Sequence, residues 1–107
     1  MVSVRAGERT DLTLRTVHLL RINSYIDIAI NAMWTASPRV DTMIGMAEAS
    51  LRGESPGGRD EETRAKVRDL VREGRAYLAG GDTSVAMGRM RVAQDILTLR
   101  LILLSDE

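Results

Sequence analysis

The sequence predicts an all-α protein, a four-helix up-down bundle with long first and last helices that is completed by oligomerisation. Apolar residues recur at helical spacing along most of the 107 residues, and helix start and stop signals separate the periodic segments. No run of alternating apolar and polar residues indicates a strand. The first and last segments each carry two apolar stripes, whereas a surface helix of a small domain normally shows one.

The composition restricts the class of protein. A chain of 107 residues with 44% hydrophobic residues is typical of one globular domain, and the lack of cysteine excludes disulfides and thiolate metal sites. The formal net charge of zero argues against a nucleic-acid partner. No signal peptide and no apolar run of membrane-spanning length is visible, so we expect a cytoplasmic protein with no membrane partner.

The first helix is expected to begin at a polar cap and to end near Trp34. Residues 1–9 show no periodic pattern and are predicted to be a disordered N-terminal segment, which leaves residues 10–107 as a single helical domain. Thr10 or Asp11 can supply the N-cap.

The next two helices are delimited by turn and cap residues. Ser37-Pro38 predicts the start of the second helix, which ends near Gly53. The glycine-rich stretch 53–59 predicts a flexible loop, after which Asp60 is expected to cap the third helix. Gly80-Gly81 ends that helix, and so short a junction predicts an antiparallel hairpin of helices three and four.

The fourth helix, from Asp82 to Leu104, has one stripe for the core of its own chain and a second stripe left over. The same surplus occurs on helix one. Two stripes indicate two buried contacts, so we expect one contact within the chain and one with a second copy, most simply in a two-fold dimer, or with another protein. The predicted interface residues are Tyr25, Ile28, Ala32, Val92, Ile96, Leu99 and Leu103.

His18 is the only histidine, and it lies in the run Val17-His-Leu-Leu-Arg-Ile-Asn23. This run resembles the phosphoacceptor helix of histidine phosphotransfer proteins, which are four-helix bundles of similar length. Leu20 and Arg21 match the apolar and basic positions of that family, whereas Ile22 stands where the family usually has glycine. The resemblance implies a phosphoacceptor role for His18, and the residue pattern alone favours a histidine at the rim of the core.

Arginine is the dominant cation, because Lys66 is the only lysine among 15 basic residues. Two interpretations remain open for the arginines of helices three and four. They form either a solvated flank supported by ion pairs along each helix or a site for a small anion or nucleotide at the oligomer seam. The residues concerned are Arg64, Arg68, Arg72, Arg75, Arg89 and Arg100.

No enzyme motif is visible. The glycine pairs lack the flanking strands of phosphate-binding loops, and no Glu-x-x-His spacing indicates a metal site. We expect no catalytic activity, cofactor or metal, and we expect Asp27 to pair with Arg91 or Arg100 inside the bundle. The expected function is therefore a non-enzymatic homo-oligomeric interaction or regulatory module, with anion binding and phosphotransfer as the alternatives.

Overall fold

The computed structural model describes the backbone of residues 2–106 and the side chains of residues 9–106. It contains four α-helices, α1 (Val2–Trp34), α2 (Val40–Ser50), α3 (Glu61–Ala79) and α4 (Thr83–Ser105), and one 3₁₀ turn, Pro56–Gly58. No strand occurs among the described residues. The predicted all-α four-helix bundle is confirmed.

The helices form an elongated bundle in which neighbours along the chain pack together. The α3–α4 hairpin has the most extensive contact, and α1 packs against both α2 and α4. The Cα positions span 55 × 20 × 20 Å. At 1.5 Å per residue the 33 residues of α1 account for about 50 Å of that length. Because α2 has only 11 residues, it covers a fraction of α1.

The core is aliphatic, and the chain contains only two tyrosines, one tryptophan and no phenylalanine. One apolar stripe of each helix faces inward, and the residues that are fully buried include Leu19, Ile26, Ile44, Val71 and Leu97. Gly74 of α3 allows a close approach of α4, because a Cβ atom at this position would lie 2.9 Å from Met90 Cε and 3.3 Å from the Ala86 carbonyl oxygen. The buried stripes therefore hold the hairpin and the long first helix together.

The helix ends agree in part with the sequence. Asp82 caps α4, since its Oδ1 accepts a hydrogen bond of 3.2 Å from the Val85 amide, and Gly81 adopts a φ of 85° at the hairpin turn. The expected start of α1 at Thr10 or Asp11 is wrong, because the helix already includes Val2. Met1 lies outside the described residues, as do the side chains of residues 2–8, and the division of the chain at residue 10 stays a prediction.

Asp60 precedes α3 as predicted, but its carboxylate does not cap the helix. The residue adopts a left-handed conformation, with φ 66°, and makes no side-chain cap hydrogen bond. Its side chain turns toward α1 and α4 instead. The preceding loop packs against α1, with Gly57 close to Asp11, and Ser55 is buried and donates a hydrogen bond of 2.7 Å to Glu61. The segment predicted to be a flexible loop is thus held against α1 and the start of α3.

Candidate interaction faces and the buried arginine cluster

Three charged side chains from distant parts of the chain meet inside the bundle. The Asp60 carboxylate, whose side chain is 2% exposed, accepts two hydrogen bonds of 3.0 Å from the Arg15 guanidinium. Arg100 donates a third hydrogen bond, of 2.8 Å, from Nε. This cluster joins α1, the start of α3 and α4. Charged pairs of this geometry are the strong hydrogen bonds of protein interiors.

The environment of Asp60 favours its ionised form. Burial by itself raises the pKa of a carboxyl group, but the hydrogen bonds from Arg15 and Arg100 outweigh burial and hold the pKa of Asp60 below its ordinary value. The carboxylate therefore remains charged at neutral pH. Its charge is compensated by two arginines of the same chain, which makes the cluster a structural link between helices.

Arg64 and Arg68 stabilise the end of α2. Arg64 is buried and donates to the carbonyl oxygens of Leu51 and Gly53, while Arg68 donates to the same Leu51 oxygen at 2.7 Å. Cations suit the carboxyl end of a helix, where carbonyl oxygens lack partners within the helix. Arg64 also pairs with Glu61 at 2.7 Å. The guanidinium groups of these two arginines therefore bind groups of their own chain.

The other predicted anion-binding arginines lie in separate places. Arg75 bridges Asp41 and Glu48 of α2, and these hydrogen bonds raise its pKa above the ordinary value. Arg89 lies 3.3 Å from the Glu73 carboxylate and above the Tyr77 ring. Arg72 is exposed on α3, and Arg100 belongs to the Asp60 cluster. The six arginines do not converge on one position, and the anion site stays a prediction.

His18 is partly buried near this cluster. Its Nε2 atom is buried and has no hydrogen-bond partner among the described residues. Burial, followed by the nearby charges of Arg64 and Arg21, lowers the pKa of His18 below its ordinary value. A neutral, partly buried imidazole matches the rim position that the residue pattern favours. The phosphoacceptor role stays a prediction, and the burial of Nε2 weighs against it.

Asp27 does not form the expected ion pair with Arg91 or Arg100. It is exposed, and it accepts a hydrogen bond of 3.3 Å from Gln94 of α4. Arg91, one expected partner, instead lies above the Trp34 ring with 5.8 Å to the ring centre. The other expected partner binds Asp60. The prediction was wrong because Asp27 follows the buried Ile26 and falls at the outer edge of the α1–α4 contact, where water reaches it.

The second apolar stripe of α4, which does not face the core, is exposed to solvent. Leu99 is 59% exposed, Val92 and Leu103 are nearly half exposed, and Ile96 is partly buried. Ile96, Leu99 and Leu103 form a groove with the first turns of α3, which we call the α3–α4 groove, and Val92 lies outside it. Its lining residues are Asp60, Glu61, Glu62, Thr63, Lys66, Ile96, Leu99, Arg100 and Leu103.

A second apolar surface lies on α1. We call it the α1 face, and its residues are Leu14, Val17, Leu20, Arg21, Ser24 and Ile28. All four of its large aliphatic side chains are 45–53% exposed. Tyr25 lies at its edge and is partly buried, whereas Ala32 is 9% exposed and packs within its own chain. Ala32 is therefore a core residue rather than a surface residue.

The two surfaces face different directions. Gln94 marks the side of α4 that contacts α1, and at 3.6 residues per turn Leu103 lies about half a turn from it. The α4 stripe therefore points away from α1. On α1, Asp27 contacts α4. Exposed Ile28 and buried Ile26 lie about 100° from Asp27 around the helix axis, in opposite directions. The α1 face is therefore exposed on the side of α1 opposite the core, and it is separate from the α3–α4 groove.

The predicted interface omits five exposed residues of the α1 face, namely Leu14, Val17, Leu20, Arg21 and Ser24. A helical projection of α1 shows all five on the same side as Ile28. Their omission arose from following single stripes at fixed spacing. The whole exposed side of the helix, charged residues included, is the signal that identifies the face.

Other classes of site find little support. Among the described residues no group of three or more His, Asp or Glu side chains is placed to hold a metal ion. No helix in the described part of the chain is both long and apolar enough to span a membrane. Comparison of the chain with protein-family models, with curated proteins and with solved structures gives no match in any of the three.

Proposed function

We propose that this protein is a non-enzymatic interaction module that assembles with copies of itself through the α1 face and the α3–α4 groove. The observation that carries the proposal is the exposure of large aliphatic side chains on both long helices, with Leu99 59% exposed. Contiguous apolar patches on soluble proteins mark contact sites for other molecules. A regulatory role would depend on conditions that change the balance between the free and the assembled protein.

Burial of the exposed aliphatic side chains would favour association. Burying one Leu or Ile side chain fully contributes about 1.5–3 kcal/mol, so several half-exposed side chains together supply a substantial driving force. A stable interface needs about 800 Å² from each partner. The α1 face extends from Leu14 to Ile28, about 21 Å of the 55 Å length of the bundle, so an interface of that size must also include the side chains around this face.

The arginines support a structural role rather than a catalytic one. Arg15, Arg64 and Arg100 are held by carboxylates and backbone carbonyl oxygens of their own chain. A residue that already compensates a buried charge is costly to redirect toward a substrate. The α1 face is mainly apolar, and the groove combines three aliphatic side chains with charged ones, a composition that suits association.

A paired substitution tests the proposal. Leu99→Asp with Leu103→Asp places two charges in the groove, and sedimentation velocity should show a monomer where the wild type is an oligomer. The matched control is Asn31→Asp with Thr98→Asp, which adds the same charges at exposed positions outside both surfaces. An unchanged oligomer in the Leu99/Leu103 variant, or loss of assembly in the control, would count against the proposed interface.

A further inference from the structure

The structure points to one mode of self-assembly, and this inference rests on the proposed function. We infer that the α1 face of one copy docks into the α3–α4 groove of the next copy, head to tail. The two surfaces face different directions, so a copy that offers its groove to one neighbour still presents its α1 face to another. Contacts between unlike surfaces produce rings or open chains rather than the two-fold dimer expected from the sequence.

The two surfaces differ in construction. The α1 face lies on a single helix, and its side chains surround only a shallow, open depression. The groove is lined by two elements, the start of α3 and the second half of α4, and Leu99 and Leu103 are exposed along it. A helix that lays its apolar side into a groove between elements is a recurring mode of recognition.

The charges favour the same pairing. Arg21 is the only charged residue of the α1 face, is exposed, and forms no hydrogen bond or ion pair with residues 9–106. The groove is lined by three acidic residues, Asp60, Glu61 and Glu62, and by two basic ones, Lys66 and Arg100. Asp60 and Glu61 are paired with arginines of their own chain, whereas the Glu62 side chain is 87% exposed and its pairing with Lys66 is weakly held. Contact between two α1 faces would bring like Arg21 charges together, whereas contact with the groove gives Arg21 an acidic partner.

A complementation experiment tests the mode directly. One variant, Val17→Asp with Ile28→Asp, loses the α1 face, and the other, Leu99→Asp with Leu103→Asp, loses the groove. Each variant alone should be a monomer, and the 1:1 mixture should form a heterodimer and nothing larger, since each member retains one surface. Native mass spectrometry should then give twice the 11.8 kDa mass of the chain. Circular dichroism establishes that both variants fold.

Charge reversal gives a second readout. Arg21→Glu and Glu62→Arg should each weaken assembly about ten-fold, and the double variant should recover most of the loss. Arg72→Glu, an exposed arginine of α3 for which the structure gives no partner among residues 9–106, is the matched control and should leave assembly unchanged.

The outcomes separate this inference from the proposed function. A wild-type monomer at all concentrations would overturn both. An oligomeric wild type in which the groove-deficient variant still dimerises would indicate contact between two α1 faces, which overturns the head-to-tail mode and the role of the groove but leaves self-assembly standing. Dimers of the α1-deficient variant would indicate contact between two grooves, which overturns the head-to-tail mode and the role of the α1 face. Failure of the double charge reversal to recover assembly would also contradict the docking of Arg21 against Glu62.

Discussion

The interior of this bundle contains charged side chains, while its two longest helices expose large aliphatic side chains. Arg15 and Arg64 are almost completely buried, whereas Leu99 and Ile102 are more than half exposed. Burying a charge costs several kcal/mol unless partners compensate it, and here Asp60, Glu61 and backbone carbonyl oxygens do so within one chain. The exposed aliphatic side chains have no such partner in the chain. The difference separates the groups that the fold satisfies alone from the surfaces on which the proposed assembly depends.

The largest effect is expected at the centre of the buried cluster. Asp60→Asn removes the charge that Arg15 and Arg100 share, and we expect a loss of about 3–5 kcal/mol in the free energy of unfolding, because breaking a buried pair leaves uncompensated charge. Urea denaturation followed by circular dichroism measures it. Asp69→Asn, at an exposed position of α3, is the control, and similar losses for the two variants would show that the cluster contributes little.

A comparison within α4 sharpens the contrast between its two stripes. Leu97 is fully buried and Leu99 is exposed, so Leu97→Ala should cost about 2–5 kcal/mol and Leu99→Ala less than about 0.5 kcal/mol in the isolated chain. Denaturation at a concentration low enough to keep the chain monomeric gives both values. Equal costs would mean that Leu99 is buried in its own chain and that the groove is not open.

Two glycines of the hairpin test how closely α3 and α4 pack. Gly88→Ala in α4 should stabilise the protein by about 1 kcal/mol, because no atom obstructs the new methyl group and alanine favours helix. Gly74→Ala should lack this gain, because its methyl group would lie 2.9 Å from Met90 Cε and 3.3 Å from the Ala86 carbonyl oxygen. Melting temperatures measure the difference, and equal stabilisation by both changes would contradict the close approach.

The smallest effect concerns pH. Burial, with Arg64 and Arg21 nearby, places the folded-state pKa of His18 below its unfolded value of about 6.5, so the unfolded chain binds the proton more readily. Stability should therefore decrease as pH falls below 6.5 toward the folded-state pKa and should be insensitive to this group above 6.5. Asp60, whose pKa is lowered, should add a further loss at lower pH, below about 3.9.

Urea denaturation between pH 8 and pH 5 measures the histidine effect, and His18→Gln is the control. The substitution should remove the dependence on pH in this range while leaving the acid transition of Asp60 in place. A wild-type stability that rises between pH 6.5 and pH 5 would show that His18 is stabilised in its charged form.

Much of the fold follows from local sequence signals. The cap at Asp82, the glycine pair before it and the helical spacing of apolar residues each act over a few residues, so each could be predicted from the sequence. The positions of charged side chains could not. Asp60 appears as a helix cap in the sequence, yet it binds Arg15, which is 45 residues away, and only the packed bundle brings the two together.

The sequence predicted only part of the candidate surfaces, because its local signals do not show how the helices pack together. The exposed stripe of α4 follows from its own periodicity, and Leu99 and Leu103 lie where that periodicity places them. The direction in which a stripe points depends on the neighbouring helices, so the sequence merged the α1 and α4 stripes into one interface. Ala32 was assigned to that interface because no local signal shows that it is buried within its own chain.

Native mass spectrometry of the wild-type protein over a range of concentrations tests the central claim most directly. The account predicts oligomers whose size grows with concentration as unlike surfaces pair, without a bound small molecule. A chain that remains an 11.8 kDa monomer throughout would contradict self-assembly. An additional mass of nucleotide size would instead favour the predicted anion site among the arginines of α3 and α4.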